Sequence, residues 1–157
     1  MKLNKLKKTL DKWQESELIK VDGQEKQRRI FKHSDEVFKL FGGGESGVLD
    51  PFNEYTYEWL HSFFCGLSEW LGYNKVETKQ ELEDGYNDQI NESVDSEVDV
   101  YTSGLTEWLN HNVGNVSYLD EVVKQGHTNN ILMMAQYEAI YELFHTAFSI
   151  ILDMIDD

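Results

Sequence analysis

A run of carboxylates set between two tryptophan-anchored segments limits the folds open to this chain. Residues 77–99 hold Glu77, Glu81, Glu83, Asp84, Asp88, Glu92, Asp95, Glu97 and Asp99, with Lys79 as the only basic residue. Carboxylates this dense cannot enter a core, because a buried charge without a partner is very costly. The stretch reads as an acidic belt lying between two segments that look buried. Those segments share a pattern. Gly66-Leu67-Ser68-Glu69-Trp70-Leu71 precedes the run, and Gly104-Leu105-Thr106-Glu107-Trp108-Leu109 follows it. Asn74 and Asn112 match as well, but the likeness fades on either side. Two copies fall short of a repeat array, so convergence of two amphipathic segments explains the pattern better than duplication.

The apolar content supports a real core. Aromatic residues make up 13% of the 157 residues, which argues against disorder despite the charge. A chain of this length is expected to form one domain. It contains no apolar run long enough to span a bilayer and no signal-peptide pattern, so a soluble, cytoplasmic protein is expected. The single Cys65 fits a reducing compartment. The net charge of −15 is unevenly spread: residues 1–45 carry +3 and residues 46–157 carry −18. Such a field repels nucleic acid and anionic membranes and attracts basic protein surfaces. Solubility alone is the competing explanation.

Leu3, Leu6, Leu10 and Trp13 recur at helical spacing, predicting a helix over 2–16 with its lysines mostly off the apolar stripe. Those lysines are more readily a solvated face than an arm for nucleic acid. Asp22-Gly23 after Leu18-Ile19-Lys20-Val21 signals a β-hairpin, although residues 24–29 are polar enough to be helical. Ser34 is a candidate N-cap for a helix through Phe41, with Asp35 and Glu36 in its first turn. Gly42-Gly43-Gly44 ends it and marks a joint over 42–49. These glycines lack the context of a phosphate-binding loop.

Asp50-Pro51 opens the clearest helix, over 51–71. Phe52, Tyr55, Trp59, Leu60, Phe63, Phe64, Leu67, Trp70 and Leu71 line its apolar side, and Gly72 is the expected C-cap. Thr78 and Glu81 form a candidate capping box. Gly85, Asn87 and the like charges at Asp84, Asp88 and Glu92 weaken any helix beyond it, so a turn or two of helix and then an extended or loop segment to Tyr101 are expected. Thr102 or Ser103 caps a further helix through Asn110 or Asn112, and Ser117 caps another ending at Gly126. The last helix, near 129–155, carries Ile131, Met134, Tyr137, Ile140, Tyr141, Phe144, Phe148, Ile151 and Ile155 on one face. That face is broad enough for a core centre or a dimer interface.

Catalytic and metal motifs are missing. His61 and Cys65 share a helix face and make half of a zinc site, but no CxxC or HExxH completes it. Asp95, Glu97 and Asp99 open like a calcium loop, yet Val100 stands where glycine is required and Thr106 where glutamate is. Nothing ties Cys65 to a catalytic base, and a buried, inert thiol is expected. No cofactor and no enzymatic activity are expected.

The segment Glu92-Ser93-Val94-Asp95-Ser96-Glu97-Val98-Asp99-Val100-Tyr101-Thr102-Ser103, with Trp108-Leu109, Tyr118-Leu119-Asp120-Glu121 and Ala135-Gln136-Tyr137, resembles a family of small proteins encoded by bacteriophages and related mobile elements. The resemblance covers about the last 70 residues and implies no particular activity. In composition the chain is similar to phage anti-CRISPR and antirestriction proteins. Several of those are acidic, non-enzymatic and place carboxylates where DNA phosphates would lie.

The expected fold is therefore mainly α: a single-domain helical bundle with a short N-terminal β-hairpin. It comprises a basic part over 1–41, the glycine-rich joint over 42–49, and an acidic helical core over 50–157. The expected function is inhibition of a host nuclease by DNA mimicry, with Glu81, Glu83, Asp84, Asp88, Glu92, Asp95, Glu97 and Asp99 contacting its basic nucleic-acid-binding surface. No direct contact with nucleic acid or membrane is expected. The alternative is a homo-oligomeric phage scaffold, a homodimer for instance, whose acidity serves solubility alone.

Overall fold

The structure is a computed structural model that describes residues 1–20, 27–42, 54–97 and 129–156, with side chains at all of these except 28, 54–55 and 129–135. It is mainly helical, with one two-stranded antiparallel sheet near the N-terminus. A short 3₁₀ turn, Leu3–Lys5, leads into α1, Leu6–Trp13. The strands β1, Ser16–Lys20, and β2, Gln27–Phe31, follow, and then α2, Ser34–Phe41. The remaining described helices are α3, Glu54–Tyr73; α4, Lys79–Glu97; and α5, Asn129–Met154.

The first helix is shorter than its periodicity predicts. Its lysine-rich start has no side-chain cap and opposes the helix dipole, so packing must hold it. Leu6 and Leu10 are fully buried and Trp13 is 1% exposed, mainly against α3. The helix stops because the next residues join a ladder instead. Ser16 pairs with Phe31 and Lys20 with Gln27, and the Lys32 N–H donates to the Glu15 carbonyl at 2.9 Å. The hairpin thus forms, while the expected Asp22-Gly23 turn lies outside the described residues. Ser34 is already helical, and His33 takes the N-cap position without a capping side-chain bond.

Helix α3 is the centre of the molecule, packing against α1, α4 and α5. Adjacent phenylalanines divide its two sides. Phe64 meets the rings of Trp13, Phe41 and Phe31 at centroid distances of 5.3, 5.2 and 5.9 Å. Phe63, about 100° further round the helix, meets Phe144 at 5.5 Å and Tyr86 at 6.3 Å. The expected joint over 42–49 lies outside the described residues apart from Gly42, and buried residues before and after it form one continuous cluster. Each large side chain so buried contributes roughly 1.5–3 kcal/mol. The expected Asp50-Pro51 start lies outside the described residues. Gly72 is not the C-cap: the helix runs through it to Tyr73, and the Asn74 backbone and side-chain amides both donate to the Trp70 carbonyl at 2.9 Å.

The largest departure from the sequence expectation is α4. Residues 79–97 form one continuous helix rather than a turn or two followed by an extended or loop segment. Tertiary packing outweighs the repulsion between like charges. Leu82, Tyr86, Ile90 and Val94 stand four residues apart and are at most 1% exposed, facing α5 and α3. Gly85 lets the Trp70 indole approach, since a Cβ there would lie 2.8 Å from its edge. The capping box forms as expected. Glu81 N–H donates to Thr78 Oγ1 at 3.1 Å, and Glu81 Oε2 accepts from the N–H groups of Thr78 and Glu77 at 3.2 and 2.8 Å. Thr78→Ala should cost about 1 kcal/mol in urea unfolding, whereas Thr78→Ser should cost little. Equal stabilities for the two variants would deny the cap its role.

Helix α5 follows its predicted span closely. Ile140, Phe144, Phe148 and Ile151 are at most 2% exposed, but Tyr141 is 40% exposed and so leaves the apolar stripe assigned to it. The expected helices over 102–126 lie outside the described residues. No described helix is long and apolar enough to cross a membrane.

Candidate interaction surface

The regular geometry of α4 sorts its carboxylates. At about 100° per residue, Glu81, Asp84, Asp88, Glu92 and Asp95 fall within an arc of about 80°. That arc is centred opposite the Leu82, Tyr86, Ile90 and Val94 face. All five acids are exposed. At about 1.5 Å of rise per residue, the stripe is roughly 21 Å long, with a charge every 5 Å or so. This is sparser than one DNA strand, which carries a charge about every 3.4 Å along its axis.

Two of the expected site residues do not join the stripe. Glu83 is half-buried and falls between Ile90 and Val94 in direction, on the core face. Glu97 turns toward α3, where its Oε1 accepts from Ser62 Oγ at 2.8 Å. Asp99 lies outside the described residues. Within the stripe, Glu81 is engaged in the cap and Asp84 accepts from Gln80 Nε2 at 2.8 Å. Among the described residues, no lysine or arginine pairs with Asp88, Glu92 or Asp95.

The basic part of the chain is arranged differently. Lys7 pairs with Asp11 at 3.2 Å, Lys12 with Glu36 at 2.6 Å, and Lys32 with Glu15 at 3.6 Å. These exposed pairs add little stability, but they neutralise positive charge locally. Asp11 is anchored at the α1–α3 contact by a short hydrogen bond from Ser68 Oγ, which with Lys7 holds its carboxyl below the usual range.

The same contact explains Cys65. Its Sγ lies 3.3 Å from Gln14 Oε1 and 3.7 Å from His61 Nδ1, while His61 Nε2 lies 3.0 Å from the Gln14 carbonyl. Burial, then the nearby Asp11, Glu69 and Glu97 carboxylates, push the thiol up, opposite to the shift a nucleophile needs. No group of three or more His, Cys, Asp or Glu residues suited to a metal ion occurs among the described residues.

A second feature escaped the sequence reading. Tyr137, Glu138, Tyr141, Glu142, His145 and Thr146 line an open groove of about 570 Å³ on α5. Tyr137 and Tyr141 stack at 6.1 Å with ring planes 24° apart, and Tyr141 lies 4.1 Å from the His145 ring. Their spacing of four residues, one step round the helix from Ile140, Phe144 and Phe148, was the available signal. The groove adjoins α4, with His145 Nε2 3.4 Å from Asn91 Oδ1. Burial lowers the His145 pKa and favours the neutral ring.

No family model matches the chain, and no curated protein or solved structure matches it.

Proposed function

We propose that this chain is a non-enzymatic inhibitor of the anti-CRISPR or antirestriction kind, acting in a bacterial host cell. Its α4 stripe would occupy the basic nucleic-acid-binding surface of a host nuclease. The observation that carries this reading is the exposed line of Glu81, Asp84, Asp88, Glu92 and Asp95, fixed by a buried opposite face. A rigid carboxylate array of this kind can replace the anions around a partner's lysines and arginines, as DNA phosphates do. Rigidity matters because charges held in place need no ordering on binding.

The test compares the native chain with a variant carrying Asp84→Asn, Asp88→Asn, Glu92→Gln and Asp95→Asn. The variant should fold at least as stably, because it removes like charges spaced four residues apart. The native chain should inhibit cleavage by a nuclease it retains, and duplex DNA should compete for that nuclease. Affinity should fall roughly tenfold or more between about 50 and 200 mM salt. The neutral variant should lose both retention and inhibition. Equal inhibition by the two forms, or binding indifferent to salt, would reject the reading.

The alternative, a homo-oligomeric scaffold, draws support from Leu18 and Ile19, which are 53% and 38% exposed on the hairpin. A salt-insensitive dimer in solution that dissociates on Leu18→Ser with Ile19→Ser would favour it.

A further inference from the structure

We propose that the α5 groove accepts the guanidinium group of an arginine presented by a protein partner. Three observations select this occupant. First, Tyr137 and Tyr141 hold near-parallel rings at 6.1 Å, and His145 packs against the Tyr141 ring at 4.1 Å, which makes an aromatic cluster on α5. Aromatic faces attract cations and stack well on the planar guanidinium. Second, Glu138 and Glu142 line the same groove. Carboxylates there disfavour an anionic or purely apolar ligand and offer a fork-shaped cation paired acceptors. Third, among the described residues the groove is open and lined by α5 alone. Such a lining suits a side chain presented by a larger partner better than a free small molecule, which binds tightly only where most of its surface is buried.

The lysine ammonium is a poorer match. It is compact and strongly hydrated, and it cannot stack on Tyr141 while engaging a carboxylate through two parallel bonds. A metal ion lacks ligands, as no group of three or more candidate residues occurs among those described. The Asn91–His145 contact places the groove beside the α4 stripe, so a basic segment crossing α4 could set one arginine into α5. The proposal shares with the preceding reading the premise of a basic protein partner, but it does not depend on the α4 carboxylates.

The experiment titrates the isotopically labelled full chain with N-acetyl-arginine amide and follows the ring resonances of Tyr137, Tyr141 and His145 by NMR. N-acetyl-citrulline amide, the neutral isostere, and N-acetyl-lysine amide are the controls. The ring signals are expected to shift together and saturate in the roughly millimolar range suited to one side chain. Citrulline should produce no saturable shift, and lysine should bind at least about threefold more weakly. Glu138→Gln with Glu142→Gln should weaken arginine binding about fivefold or more, and Tyr141→Leu roughly threefold. Tyr141 is 40% exposed, so its truncation should leave the fold intact, which the dispersion of the remaining resonances would confirm. The variant with Asp88→Asn, Glu92→Gln and Asp95→Asn should bind arginine amide within about twofold of the native chain. Equal binding of citrulline, equal binding of lysine, or absence of saturable ring shifts would overturn the proposal. Shifts confined to α4 would also overturn it while leaving the inhibitor reading standing.

Discussion

Phe64→Ala is expected to remove about 3–5 kcal/mol of stability, enough to leave much of the chain unfolded at ambient temperature. Phe64 is fully buried and sits where four elements meet. Trp13 of α1, Phe31 of β2 and Phe41 of α2 all touch its ring, at centroid distances of 5.3, 5.9 and 5.2 Å. Truncation removes the transferred apolar surface and also leaves a cavity that these rigid rings cannot refill. The loss should exceed that of a surface aromatic by a wide margin: Tyr73→Ala, at a site 84% exposed, should stay within about 0.5 kcal/mol. Urea unfolding followed by helical circular dichroism measures both. A loss below about 1.5 kcal/mol for Phe64→Ala would mean that the N-terminal elements do not depend on this contact.

Alkaline pH should destabilise the protein through Tyr86. Its side chain is 1% exposed, and burial pushes the phenol up from 10.0 to about 12. Its hydroxyl lies near Gly66 and Ser93 without a hydrogen-bond partner of full geometry, and Ser93 opposes only part of the shift. The folded state therefore holds its proton more tightly than the unfolded state does. The stability this contributes is fully present below pH 10 and is lost as pH rises toward about 12. The full loss is about 3 kcal/mol, at 1.36 kcal/mol per pKa unit. Tyr57, also raised by burial, adds to the same window, so the decisive quantity is the difference from Tyr86→Phe. That variant should match the native chain near pH 8, since it gives up no well-formed hydrogen bond, and should lose less stability between pH 10 and 12. Parallel stability curves for the two proteins would show that Tyr86 ionises freely in the folded state.

Much of the architecture was legible in the sequence because long apolar periodicity carries its own direction. Residues 129–155 read as one helix, and Asn129–Met154 form one; the central role of the Trp59–Leu71 stripe follows from its width. The Thr78–Glu81 capping box was equally readable, being a contact between residues three apart. The continuity of α4 was not. Local terms argued against it, since Gly85 and the like charges disfavour a helix. The deciding contacts come from Trp70, Phe63 and α5, far away in the chain.

The same division holds for the candidate sites. The sequence by itself showed a dense acidic belt between two tryptophan-anchored segments, whose carboxylates are too costly to bury without partners. It also determined that one large apolar face on each of α3 and α5 must be covered. Only the tertiary structure decided which carboxylates share a line, because that needs a continuous helix of known rotation. It turned Glu97 toward Ser62 and left Asp88, Glu92 and Asp95 outward. It also moved Tyr141 from the apolar stripe to an open groove beside His145. A side chain on the border of an apolar stripe is buried or exposed according to where the neighbouring helices end, and no local pattern encodes that.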